Sequence, residues 1–301
     1  MANRIIDSHA HIGDIFHESK NITFKTNIKK GDYEDPFIDC ERSGYTIPLF
    51  PKKIEDLINA GQYRSWEWTL ENLTRELDEH PDVQGIVMLP IWPNQTFEEY
   101  LAASKLEPRI IPFTTCVLDM ELEDMAAKLR KDIERGAKGV KLHPTIQNLA
   151  LDDPRTEAAV KVFREAGLPV LTHCGANPYY TEDSPWSKVT TPEYSDFPVV
   201  IDFCRKWKDA KIIVAHCCTM IEEFHEAVRD LDNVYTDTSM CSAANMRLGV
   251  QLMGEDKIMF GSDVPFGSFR YSLAELEKAF ADEPDIMDMV GYENIATLTG
   301  M

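Results

Sequence analysis

The chain has 301 residues, 44% of them hydrophobic, and a formal net charge of −20. That charge repels nucleic acid and anionic membrane surfaces, and no basic cluster offsets it. No apolar run approaches the roughly 20 residues of a membrane span, so neither a nucleic-acid partner nor a membrane is expected.

Short runs rich in Val and Ile alternate with helical patterns along the chain. Arg4 leads straight into the first run, 4–11, so no signal peptide is expected. That run ends in Asp7-Ser8-His9-Ala10-His11. A long connection, 12–50, follows and mixes aromatics, charges and Pro. Strands are predicted next at 85–91, with Trp92 just beyond, and at 110–118. Leu122, Met125, Ala126, Leu129 and Ile133 then recur at helical spacing, and Gly136 follows as a stop. The strand 139–143 carries Lys141 and His143. A helix over 153–165 closes at Gly167, and the strand 169–174 carries His173. A second long connection, 176–197, holds Tyr179, Tyr180, Trp186 and Tyr194. The strand 211–217 carries His216, and a helical stripe over 221–231 follows it. Strands at 234–238 and 257–263 complete the series. The last ends in Asp263, with Arg270 in the loop beyond.

Eight nearly continuous apolar strands read as buried on both faces. Eightfold strand–helix alternation predicts an α/β fold, a (β/α)8 TIM barrel, as one domain over 1–301. A barrel needs about 250 residues, which leaves room for the two long loops after the first and fifth strands. Both leave C-terminal strand ends and are expected to lie over the barrel mouth. A doubly wound open sheet would want a Gly-rich first turn, and the sequence has none. Seven cysteines without framework spacing point to reduced thiols and a cytoplasmic protein.

A barrel of parallel strands gathers its C-terminal ends on one face, and five of the eight histidines sit at such ends. His9 and His11, two residues apart, project together, toward the axis if Asp7 and His9 set the inward face. The strand of Asp263 neighbours the first, and His173 faces them across the mouth. Three imidazoles, a carboxylate and an open position describe a catalytic metal site. His216 reads as a general acid or base beside it. Lys141, His143, Trp92 and Arg270 are candidate substrate contacts, Arg270 through a bidentate carboxylate pair.

Asp7-Ser8-His9-Ala10-His11, Lys141-Leu142-His143-Pro144, Thr172-His173-Cys174-Gly175, Ala215-His216 and Gly261-Ser262-Asp263-Val264-Pro265 resemble the strand-end motifs of the amidohydrolase superfamily. The branch they resemble is amidohydrolase 2, which includes aminocarboxymuconate-semialdehyde decarboxylase. The resemblance implies metal ligation by His9, His11, His173 and Asp263, with Asp263 also moving a proton and His216 catalytic. It implies a divalent cation: one Zn2+, with Mn2+ or Fe2+ as alternatives and a second ion bridged by carboxylated Lys141 as another. The expected reaction is hydrolysis of an amide, lactone or ester in a small molecule. Decarboxylation of an aromatic or conjugated acid is the alternative, and a non-catalytic metal-binding barrel is a third reading. A homodimer is the family expectation.

Overall fold

The computed structural model describes residues 4–17, 22, 29–46 and 52–301. Met1-Ala2-Asn3 and the segments 18–21, 23–28 and 47–51, which fall in or beside the long first connection, lie outside the described residues. Among the described residues, no helix is long and apolar enough to cross a membrane.

Among the described residues, nine parallel strand segments run in chain order: β1 (Ile5–Ala10), β2 (Val83–Met88), β3 (Ile110–Pro112), β4 (Thr114–Thr115), β5 (Val140–Leu142), β6 (Val170–Thr172), β7 (Ile212–Val214), β8 (Val234–Asp237) and β9 (Ile258–Met259). Neighbours in sequence are neighbours in space, β1-β2-β3 and β4-β5-β6-β7-β8-β9. β3 and β4 are halves of the predicted strand 110–118. Phe113 separates them and gives its N–H to Met88 O at 3.1 Å. The ring closes where β1 meets the chain beyond β9. Ser8 N–H donates to Phe260 O (2.8 Å), Asp263 N–H to His9 O (2.8 Å) and His11 N–H to Val264 O (2.9 Å). The expected (β/α)8 barrel is therefore the architecture.

Alternation along each strand builds two cores. Ile6, Val87, Ile111, Leu171, Ile213 and Met259 fill the barrel interior. Their neighbours, among them Ile5, Ile86, Val170, Ile212 and Ile258, face the helices. The helical stripes read from the sequence appear as Leu122–Glu134, Pro154–Glu165 and Ile221–Val228. Gly136 (φ 112°) and Gly167 (φ 69°) take the positive φ that a helix stop requires.

Two expectations need correction. The last strand is shorter than predicted, because Phe260 N–H leaves the ladder for Val290 O (2.7 Å). Asp7 does not set the inward face of β1, since Ile6 does. The β1–β2 register shifts between Asp7 and Ala10, and such an irregularity re-aims the residues after it. His9 turns toward the mouth only because of that shift.

The long loops cover the mouth as expected. Ile15, Phe16, Phe37, Ile146, Tyr180 and Phe266 form a third apolar cluster, with Tyr179 and Trp186 packed against it. Phe16 meets Tyr179, Tyr180 and Phe266 with ring centroids at 5.9, 6.2 and 5.9 Å.

Candidate active site

The strand ends bring His9, His11 and Asp263 together beneath this aromatic cover. Each offers one ligand atom, and the three atoms lie within 4.8 Å of one another. His9 Nε2 is 3.5 Å from Asp263 Oδ1, and His11 Nε2 is 3.7 Å from the same oxygen. A tetrahedral cation with bonds near 2.1 Å separates its ligands by about 3.4 Å, so the set fits such an ion.

Hydrogen-bond partners fix which nitrogen each ring presents. His9 gives Nδ1–H to Asp237 Oδ2 at 2.8 Å, and His11 gives Nδ1–H to Leu89 O at 2.9 Å. Both therefore turn an Nε2 lone pair toward Asp263. The Ser239 hydroxyl donates to Asp237 Oδ1. Its oxygen is then left to accept from His216 Nδ1–H at 2.6 Å, and His216 Nε2 is also a lone pair. His173 Nε2 is 3.1 Å from Gly175 O, a carbonyl that can only accept, so Nε2 carries the proton and Nδ1 does not. That bare Nδ1 faces His216 Nε2 at 3.2 Å. Two lone pairs so close repel unless a proton or cation joins them.

Electrostatics agree. Burial, then the charge of Lys141, lowers His9 and drives His11 well down. Burial, then the neighbouring imidazoles, drives His173 and His143 well down. Burial, then His9, takes His216 to about 3. All five rings are neutral at neutral pH. Burial works to raise Asp237, but the facing His9 with its hydrogen bond, then His216 and Ser239, hold it below the usual carboxylate range. Burial pushes Asp263 well up, against the pull of Lys141. Lys141 is fully buried, with Nζ 3.4 Å from His9 Nε2. Burial draws it down to about 8, so little is needed to make it neutral beside a divalent ion.

The other predicted residues lie at different removes from this centre, and Arg270 sits in a helix instead of the loop expected for it. His173 lies outside the His9–His11–Asp263 group and adjoins it through His216, whose ring is 4.7 Å from that of His9. His143 stacks on His173 at 4.2 Å and 7°, and its Nδ1 accepts the Ile146 N–H. Trp92 is half-buried and lines a cavity of about 270 Å³ with Asn94, Gln147, Tyr180 and Trp186. Arg270 is exposed in the helix Phe269–Phe280, its guanidinium 5.6 Å from the Tyr271 ring centre.

Three contributors were not singled out in the sequence. Asp237 ends β8 as a buried carboxylate, and the strand-end logic applied to Asp263 would have found it. Ser239 carries no such signal. Arg64 donates to Asp35, Glu41 and the carbonyls of Pro265 and Phe266, pinning the loop after Asp263. His216 (φ 66°) and Asp263 (φ 58°) both hold left-handed backbone, which aims their side chains inward.

Solved structures share the fold over nearly the whole length. A 5-carboxyvanillate decarboxylase from Sphingomonas paucimobilis is 15% identical, with 99% of each chain covered and a TM-score of 0.59. A dihydroxybenzoic acid decarboxylase from Polaromonas sp. JS666, with bound manganese and the inhibitor 2-nitroresorcinol, is 14% identical, covering 99% of this chain and 97% of that one at a TM-score of 0.64. A probable 2-pyrone-4,6-dicarboxylic acid hydrolase from Acinetobacter baumannii is 13% identical, with 99% and 100% covered and a TM-score of 0.60. No curated protein matches the chain. The expected hydrolysis is corrected here, because carboxyvanillate and dihydroxybenzoate decarboxylases recur among the similar structures. The amidohydrolase profile matches residues 6–300, so the chain belongs to the amidohydrolase family, in its amidohydrolase 2 branch.

Proposed function

We propose that the chain is a metal-dependent decarboxylase of aromatic carboxylic acids. The observation that carries this is the placement of Phe16, Tyr179 and Phe266 over lone pairs converging from His9, His11, His173 and His216, beside Asp263. Rings at the mouth suit a planar substrate, and the similar structures include decarboxylases of ring acids. His9, His11 and Asp263 would hold the ion, with His173 and His216 presenting two further nitrogens beside it. Histidine and carboxylate accept Zn2+, Mn2+ or Fe2+ alike. When bound, the cation supplies Lewis-acid charge to substrate oxygens.

The chain's own groups do the rest. A cover of rings disfavours a charged carboxylate relative to neutral CO2. Breaking the carbon–carbon bond leaves its electron pair on the ring carbon, which must then take a proton. Asp263 is placed to relay it, with Oδ1 at the mouth 3.5 Å from His9 Nε2 and 3.7 Å from His11 Nε2. His216, neutral and fixed by Ser239, lies across from it as the second proton-handling group.

The test is CO2 release from a panel of hydroxybenzoic acids by the manganese-loaded protein. H216N should keep its metal and lose at least about 100-fold in turnover. Cleavage of lactones or amides with no CO2 from any ring acid would refute the proposal.

A further inference from the structure

A carboxylate substrate needs hydrogen-bond donors, and four of the imidazoles at the mouth have none left. His9, His11, His173 and His216 give their N–H groups to Asp237, Leu89 O, Gly175 O and Ser239. They face the mouth only with lone pairs, which repel an anion unless a cation intervenes. Lys141 directs its ammonium at His9 Nε2, and Arg64 is committed to Asp35 and Glu41.

Tyr179 is different. Its hydroxyl oxygen is 2.8 Å from His173 Nε2. The Gly175 carbonyl makes that nitrogen a donor, and its one hydrogen is shared between that carbonyl at 3.1 Å and the phenol oxygen at 2.8 Å. The phenol's own proton is therefore unspent. Tyr179 also stands edge-on to His143 with centroids 5.2 Å apart. His143 Nδ1 accepts the Ile146 N–H, which leaves its proton on Nε2, a second unspent donor. Tyr179 packs against the aromatic cluster, 5.9 Å from Phe16. A donor among rings, next to neutral imidazoles, is where an anionic group on a planar ligand would be gripped.

We infer that the Tyr179 hydroxyl, with His143 Nε2–H beside it, binds the substrate's carboxylate and makes the site select ring acids over the same rings without the acid. This rests on the decarboxylase reading for the identity of the ligand, but it concerns binding and not bond cleavage. Tyr179 comes from the loop after β6, so this loop sets specificity besides covering the mouth.

The test is a cycle between hydroxyl and carboxylate, read by stopped-flow binding on manganese-loaded protein before any CO2 is released. The ligands are 2,6-dihydroxybenzoate and resorcinol, which differ only in the acid group. Wild type should prefer the acid, and Y179F should lose roughly ten- to hundred-fold in affinity for it while binding resorcinol within about twofold. H143N retains an amide oxygen to cap Ile146 N–H and should show the same selective loss. Equal losses for both ligands, or no loss for the acid in Y179F, would overturn the assignment. Resorcinol binding also verifies that each variant keeps a formed site. Should wild type show this selectivity and yet release no CO2, the decarboxylase reading falls and the clamp stands. CO2 release with affinity unchanged in Y179F reverses that outcome.

Discussion

Asp237 is the sharpest place to test how this centre is built. It is fully buried and accepts from His9 Nδ1–H at 2.8 Å, from the backbone N–H groups of His216 and Ser239 at 3.1 Å each, and from the Ser239 hydroxyl. D237N keeps the shape but swaps one oxygen for an amide nitrogen. If the remaining oxygen stays with the backbone N–H groups, the new amide faces His9 Nδ1–H, donor against donor. Each buried donor left unmet costs about 1–3 kcal/mol, so two facing donors should cost the fold roughly 2–6 kcal/mol. His9 can relieve the clash by moving its proton to Nε2, but that removes the lone pair aimed at Asp263. Disturbing the partner of a ligating histidine costs about 10- to 100-fold in metal affinity, equal to roughly 1.4–2.7 kcal/mol. Calorimetric titration of metal-free D237N with Mn2+, beside urea unfolding of the same protein, measures both losses. A folded D237N that binds Mn2+ within threefold of wild type would refute the tautomer argument.

Two further outcomes follow from the geometry. R64M should destabilise the protein by about 3–5 kcal/mol in urea unfolding, because it strands the nearly buried carboxylate of Glu41, leaves Asp35 only the half-exposed Lys30 at 3.7 Å, and frees the Pro265 and Phe266 carbonyls; an unchanged midpoint would contradict this. Burial raises Asp7 to about 7, so between about pH 4 and 7 the folded chain holds a proton that the unfolded chain has released, and this group's contribution to stability falls as pH rises through that window. D7N, which stays neutral and can still engage Ser262 and His9 N–H, should flatten the metal-free stability profile there by up to about 4 kcal/mol; urea titrations at pH 4.5 and 7.5 that keep the wild-type difference would contradict it.

The barrel was legible because its strands are buried on both faces, so hydrophobicity alone outlines them. His9, His11 and Asp263 were legible because a strand end in a barrel has only one destination. The inward face of β1 was misread from Asp7, since a register shift leaves no mark in a period-two pattern. Asp237 was passed over because it follows Val234-Tyr235-Thr236 without a histidine beside it. Arg64 was invisible for a different reason. It lies in the helix Ile54–Glu67, beyond the long first connection, and its partners Asp35, Glu41, Pro265 and Phe266 are distant in sequence. The reaction was misjudged because ligand residues alone serve water attack and CO2 loss equally. The loops were expected over the mouth, but which rings would pack together there, Phe16 with Tyr179 and Phe266, a linear pattern does not reveal.

The left-handed backbone at His216 and Asp263 carries a consequence for engineering. An L-residue with a β-carbon held there costs about 1 kcal/mol or more, and glycine relieves it. Any programme that selects this protein for heat tolerance alone would therefore drift toward Gly at 216 and 263, hardening the scaffold while emptying it of chemistry.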